Sequence, residues 1–404
     1  MLKGWNRPST WLAVIAMAAG VLVAAILGLH AFMIGTATPL HADPQGVPAV
    51  TDKQPSPEWS ASVERARRIV RASVAEQNLP GLSVAVGAGG DLVWAEGFGW
   101  ADVEKRVPVE PSLPFRIGTA STALTSAAVG LLLQKGELHL DEEIQVYVPE
   151  FPRKAWPVTV RQLMGHLAGV RTDGGDEGPL LSRHCERPIE ALPAFSERSL
   201  LFEPGTQYRY SSYGWILVSA AIEAAAAEPF SRFMRKAIFE PLEMDDTRAD
   251  SATESVPDRA TSYFPRYSAE PRYGLDPMRE VDYSCYAGAS AFVSTPSDLV
   301  RFGLAIDSGT LIQPATVQLL QTSLRLPSGQ ETGYGLGWDL ENMTVAGEQK
   351  VVVGHDGNLL GGMAASLLTF RERGIVVAVT SNTSYADTFG LASRIAEAFA
   401  QSRW

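Results

Sequence analysis

Cysteine is nearly missing from this chain, with Cys185 and Cys285 the only two in 404 residues. So few exclude a cysteine-rich zinc site and a disulfide-dense miniprotein. Positive charge is also in short supply: Lys+Arg 34 stand against Asp+Glu 45, a formal net charge of -11. Such a chain lacks the basic footprint that phosphate neutralisation requires, and no nucleic-acid partner is expected. There is no G-x-x-x-x-G-K-[ST], no G-x-G-x-x-G and no H-E-x-x-H, so P-loop, dinucleotide and zincin readings have no support. The G-x-S-x-G nucleophile elbow is missing too. No internal repeat is present. A chain that is 46% hydrophobic and 20% charged is neither disordered nor of low complexity. What remains is a globular body long enough to build a full core.

Long apolar runs are confined to the N-terminus. Trp11 to Ile34 is interrupted only by His30. At ~1.5 Å per residue such a run crosses the ~30 Å hydrocarbon core of a bilayer. Lys3 and Arg7 precede it and no acid appears before Asp43, a bias that keeps residues 1–10 cytoplasmic and exports the rest. Residues 11–34 read as a transmembrane anchor. A cleavage-like Gly35-Thr36-Ala37 leaves the alternative of a cleaved signal open. Residues 35–57 carry Pro39, Pro44, Pro48, Pro55 and Pro57 and read as an extended tether. Residues 58–402 form the exported domain. Outside the cytoplasm two thiols can stay paired, so a Cys185–Cys285 disulfide is expected, the alternative being two separate buried thiols.

Within the domain, Val63, Ala66, Ile69, Val70 and Ala72 fall near helical spacing and end before Pro80-Gly81. Leu82 to Val86 and Leu92 to Ala95 read as a hairpin around Gly87-Ala88-Gly89-Gly90-Asp91. Helices are expected over 120–134, 158–166 and 214–227. Thr295-Pro296-Ser297-Asp298 is a further helix start. Strands return over 351–354, 364–370 and 375–380, and a helix over 388–401 closes the chain. The order implies an α+β fold, with one antiparallel sheet built from both chain ends, flanked by helices, and a mainly helical subdomain inserted between.

Seven ordered blocks carry a family resemblance: PGLSVAVGAGGDLVWAEGFGWAD (80–102), FRIGTASTALTSAAVGLLLQKGELHLDEEI (115–144), VTVRQLMGHLAGV (158–170), LFEPGTQYRYSSYGW (201–215), GASAFVSTPSDLVRFG (288–303), YGLGWDL (334–340) and VVGHDGNLLGG (352–362). The chain resembles the beta-lactamase-related family of class C beta-lactamases, penicillin-binding DD-peptidases, esterases and the mitochondrial beta-lactamase-like protein. The resemblance implies the beta-lactamase/transpeptidase fold and a serine hydrolase site for peptide, ester or lactam ligands, with no cofactor and no metal.

That site needs a Ser-x-x-Lys tetrad at a helix N-terminus, where residues i and i+3 share a face and the amine can take the hydroxyl's proton. The tetrad here is Thr119-Ala120-Ser121-Thr122, so both its serine and its lysine are threonine. The family's Tyr-x-Asn loop matches Tyr210-Ser211-Ser212, and its Lys-Thr-Gly or His-x-Gly strand matches His355-Asp356-Gly357. The resemblance makes Thr119, Thr122, Tyr210 and His355 the catalytic positions and Ser212 and Gly357 the binding ones. A phenol of pKa ~10 is a useful base only beside a cation, and His355 is the one cation candidate in the three motifs. Arg116 cannot act as a base. Losing a positioned base costs about 10²–10⁴-fold, so turnover is expected to be weak or absent. Ser121, ~200° around the helix from Thr119, is a poor substitute nucleophile. A second cluster, His166, Asp173, Asp176, Glu177, His184, Cys185 and Glu186, fits no regular zinc spacing and reads as a solvated loop.

Overall fold

The computed structural model describes residues 8–52, 54–171, 179–250, 259–267, 269–345, 347–359 and 361–401. Helix α1 (Pro8–Thr36) is long and apolar enough to cross a membrane by length and composition. Among the described residues the main sheet has eight strands, labelled here β1 (Ala49–Thr51), β2 (Gly81–Ala88), β3 (Asp91–Asp102), β4 (Val107–Pro108), β5 (Asp339–Val345), β6 (Glu348–Leu359), β7 (Met363–Phe370) and β8 (Ile375–Ser381). Their order is β1-β3-β2-β8-β7-β6-β5, with β4 on β3, and every pair is antiparallel. The junction of the two chain ends is the β2/β8 ladder, where Ala85 faces Ala378. This is the α+β arrangement, one antiparallel sheet completed by both chain ends, that the element order implied.

All eight residues of β2 and of β7 are buried, and so are all seven of β8. Strands read as such apolar runs when both sheet faces are covered. On one face Leu82, Val84, Val377 and Val379 meet α2 (Ser60–Glu76) and the closing helix α6 (Thr388–Ala400), through Val63, Val70, Leu391 and Phe399. On the other, Ala85, Leu367 and Ala378 join a cluster with α5 (Pro296–Ser308) and the helical region. Helix α5 starts as its sequence indicates, with the Thr295 hydroxyl accepting from Asp298 N–H at 3.2 Å. Within the helical region α3 (Ser121–Lys135) and α4 (Ser212–Ala226) are buried on all sides through most of their length. Helices apolar all round belong in a core.

The proline-rich stretch read as a tether is partly built into the domain. Ala49–Thr51 adds an edge strand against Glu96–Phe98, and Val47 lies in the core. Three residues between prolines carry no readable period, so the sequence gives no sign of this strand. Cys185 and Cys285 are joined as a disulfide, with Cα atoms 4.8 Å apart.

Candidate functional site

Helix α3 is preceded by a tight 3-10 turn, Gly118–Ala120, which carries Thr119. Strand β6 runs directly past this turn. A Cβ on Gly357 would lie 1.9 Å from Ile117 O and 3.1 Å from Ala120 N, so only glycine permits the approach. The approach brings Thr119 and the His355–Gly357 strand together across 237 residues. The Thr119 hydroxyl donates to the Asp356 carbonyl at 2.9 Å. Thr122, one turn on and fully buried, has its hydroxyl 3.4 Å from the Ala289 carbonyl. Neither acceptor is a base, since a main-chain carbonyl cannot take up the proton of an attacking hydroxyl.

No amine replaces the absent lysine among the described residues. Lys105, Lys154, Lys236 and Lys350 hold partners elsewhere: Asp102; the Ser196 and Arg198 carbonyls; Glu228; and Glu348 with Glu372. Lys135 ends α3, about 24 Å along the helix axis from Thr119 at ~1.5 Å per residue. Arg116 is held by Asp250 at 2.6 Å, Glu280 at 2.7 Å and the Val281 carbonyl at 2.9 Å, with the Tyr283 ring 5.0 Å away. Ser121 is fully buried, and its hydroxyl has no hydrogen-bond partner among the described residues.

The tyrosine and histidine positions are related less directly than the motifs imply. His355 is buried, and its Nδ1 lies 2.7 Å from the Asp356 carbonyl, which can only accept, so Nδ1 carries a proton. In the neutral ring Nε2 then accepts from the Tyr334 hydroxyl at 2.9 Å. Both ring nitrogens are thus occupied by the Asp356 carbonyl and the Tyr334 hydroxyl. Between His355 and Tyr210 stand Tyr334 and His166. The His166 ring stacks on Tyr210 at 4.1 Å between centroids and lies 4.7 Å from Tyr334. His166 Nδ1 accepts from Ser211 N–H at 3.1 Å, while its Nε2 is buried without a hydrogen-bond partner among the described residues. Burial drives the His166 pKa well below the usual imidazole value, and the nearby His355 adds to the effect. Burial likewise holds the Tyr334 phenol well above its ordinary pKa, so that it keeps its proton.

Local structure explains each placement. His166 adopts a left-handed backbone, φ 58°, and its carbonyl accepts from Arg209 N–H at 2.9 Å, which lays the 208–210 loop over the imidazole. Ser211 caps α4 by accepting from Gly214 N–H, placing Ser212 in the first turn, buried. Ser126 pins the Tyr334 segment to α3, donating to Leu336 O at 2.6 Å and accepting from the Trp338 indole at 3.1 Å. The structure therefore unites Thr119 with the 355–357 strand, and places His166 and Tyr334 between Tyr210 and His355. Sequence reasoning missed the parts played by Tyr334 and His166, although YGLGWDL and LMGHLAGV contain them.

The His166–Glu186 cluster is dispersed. His166 belongs to the aromatic group, His184 pairs with Asp282 at 2.9 Å, and Cys185 is spent in the disulfide. Asp173, Asp176 and Glu177 lie outside the described residues. Among the described residues, no three His, Cys, Asp or Glu side chains assemble as metal ligands.

The Beta-lactamase family model matches residues 66–400. The mitochondrial serine beta-lactamase-like protein LACTB of Mus musculus is 26% identical over 453 residues, spanning 85% of this chain and 81% of that protein. Penicillin-binding protein 4* of Bacillus subtilis (strain 168) is 27% identical over 289 residues, covering 69% of this chain and 63% of its own. Among solved structures, D-amino acid amidase from Ochrobactrum anthropi SV3, complexed with L-phenylalanine amide, superposes with a TM-score of 0.71 at 24% identity. It covers 85% of this chain and 99% of that one, a likeness of fold.

Proposed function

This chain belongs to the beta-lactamase family, and from that premise we propose that it is a membrane-anchored, extracytoplasmic member whose site holds peptide-like, ester or lactam ligands with weak or absent turnover. The observation that carries this reading is the Thr119 hydroxyl, which donates to a main-chain carbonyl with no amine beside it among the described residues. Acyl transfer to a hydroxyl needs a partner that removes its proton in the transition state. Thr122, at the lysine position, supplies none. The Tyr210 ring stacks on the His166 imidazole, which burial keeps neutral, where the family places a lysine ammonium. The amidase likeness is consistent with amino-acid-like ligands, and the Cys185–Cys285 bond with an oxidising compartment.

A fluorescent penicillin and a fluorophosphonate probe test the reading. The parent chain should show no covalent labelling by either probe. Thr119→Ser combined with Thr122→Lys should introduce labelling and raise ester hydrolysis by about 10²-fold or more, the scale of a restored proton-transfer partner. Brisk lactam or amide turnover by the parent chain, abolished in Thr119→Ala, would contradict it.

A further inference from the structure

The end of α1 does not trail into a free tether. The Tyr273 hydroxyl and His30 Nδ1 lie 3.4 Å apart, with their rings edge to face at 5.9 Å, and Phe32 meets Tyr267 at 6.4 Å. Beyond the helix, Asn78 grips the chain with both ends of its amide. Its Oδ1 accepts from Leu40 N–H at 2.7 Å and its Nδ2 donates to Thr38 O at 3.3 Å. Arg71 then donates to the Gln45 and Val47 carbonyls at 2.9 and 2.7 Å. The helix end is therefore seated against the domain.

An open cleft of about 430 Å³ lies between the two. Ile34 of α1 lines one wall, and Arg272, Tyr273, Asn78 and Glu76 line the others, with His30 at the junction. A bilayer core of ~30 Å takes ~20 helical residues, so a span that begins at Trp11 emerges near His30. The last turns of α1, and the cleft they wall, then lie at headgroup depth, where tyrosine collects.

We propose that this cleft seats a zwitterionic phospholipid headgroup of the phosphoethanolamine class. The Arg272 guanidinium, 59% exposed and 2.8 Å from Glu270, offers charge-assisted donors to the phosphate, and the Tyr273 hydroxyl adds another. Glu76 is exposed at the end of α2, has no ion-pair partner among the described residues, and receives the primary ammonium. An anionic headgroup satisfies Arg272 alone and is repelled by Glu76 and Glu270. A quaternary ammonium cannot donate a hydrogen bond to Glu76. The inference rests on reading α1 as a membrane span.

The test reconstitutes the full chain in nanodiscs of equal parts phosphatidylethanolamine, phosphatidylcholine and phosphatidylglycerol with matched acyl chains. Native mass spectrometry then identifies the lipid retained on release. Phosphatidylethanolamine should be retained about fivefold over either competitor, roughly 1 kcal/mol, with the preference lost in Arg272→Ala and in Glu76→Ala. Inorganic phosphate at millimolar concentration should not displace it. Equal retention of the three lipids, or a preference unchanged in both variants, overturns the proposal. So does failure of a His30→Cys/Tyr273→Cys pair to be crosslinked in membranes by a short thiol reagent. Alkaline carbonate extraction separates the two levels. An extractable chain overturns the anchor reading and the lipid site together, whereas an integral chain without lipid preference overturns the lipid site alone.

Discussion

Thr119 and Thr122 each aim a hydroxyl at a main-chain carbonyl, and Asp356 supplies one of those carbonyls from the strand that also carries His355. The side chain of Asp356 is a separate matter. It shares a cross-strand position with Ser366 and has an Oδ1 that is buried without a hydrogen-bond partner among the described residues. Burial, more than the neighbouring Asp339, Glu341 and Asp387, pushes its pKa up to about 7, against a partial counter-effect from the Ser366 hydrogen bond. A carboxyl raised in the folded state keeps its proton while the unfolded chain ionises near pH 4. Stability from this group therefore falls as pH rises from about 4 to 7, and the cost is complete above that window. Asp356→Asn is expected to stabilise the chain by about 4 kcal/mol at pH 8, roughly three pH units at ~1.36 kcal/mol each, and to leave it nearly unchanged at pH 4, measured by urea unfolding at both values. The residue types at the site were legible in the motifs. The orientation of His355 was not, because its two acceptor and donor partners, Asp356 O and Tyr334, depend on how β6 and the 334–338 segment pack.

Among the elements, the meeting of β6 with the turn before α3 decides what the site can be. Gly357→Ala would place a methyl within 1.9 Å of Ile117 O, which forces strand and turn apart. Overpacking at such a contact costs about 1–3 kcal/mol, and ligand affinity should fall with it. A denaturation curve and a binding isotherm on the same preparation check both, and wild-type behaviour in both would show that the approach is looser than described. Helix α3 was legible almost to its ends: its apolar run and the stop at Gly136, φ 70°, are local signals. Strand β1 was not legible, because three residues in a proline-rich stretch become a strand only when β3 offers them an edge.

Across the whole molecule, the first and last thirds of the domain share one sheet, while the helical region between them is tied down by the disulfide. Cys285 sits in the Ser284–Ala289 segment, whose Gly288 carbonyl accepts from Thr125 of α3 at 2.8 Å and whose Ala289 carbonyl faces Thr122. Cutting the bond frees a loop closed across 100 residues. Cys285→Ser is expected to cost about 2–4 kcal/mol and to lower the melting temperature of the oxidised protein, with no further loss on adding reductant. A parent chain whose melting temperature ignores reductant would remove the disulfide from this account.

The linear chain determined by itself everything that resides in residue type and short period. A span-length apolar helix, the acidic balance, the buried strands and the threonines at the serine and lysine positions of the tetrad all needed no partner to be read. Tertiary structure alone decided which carbonyl receives Thr119, that Tyr334 and His166 stand between Tyr210 and His355, and that the helix end leans on Tyr273. The reason is separation along the chain: these contacts join groups up to 243 residues apart, and only the packing of sheet, turn and helix puts one within reach of the other.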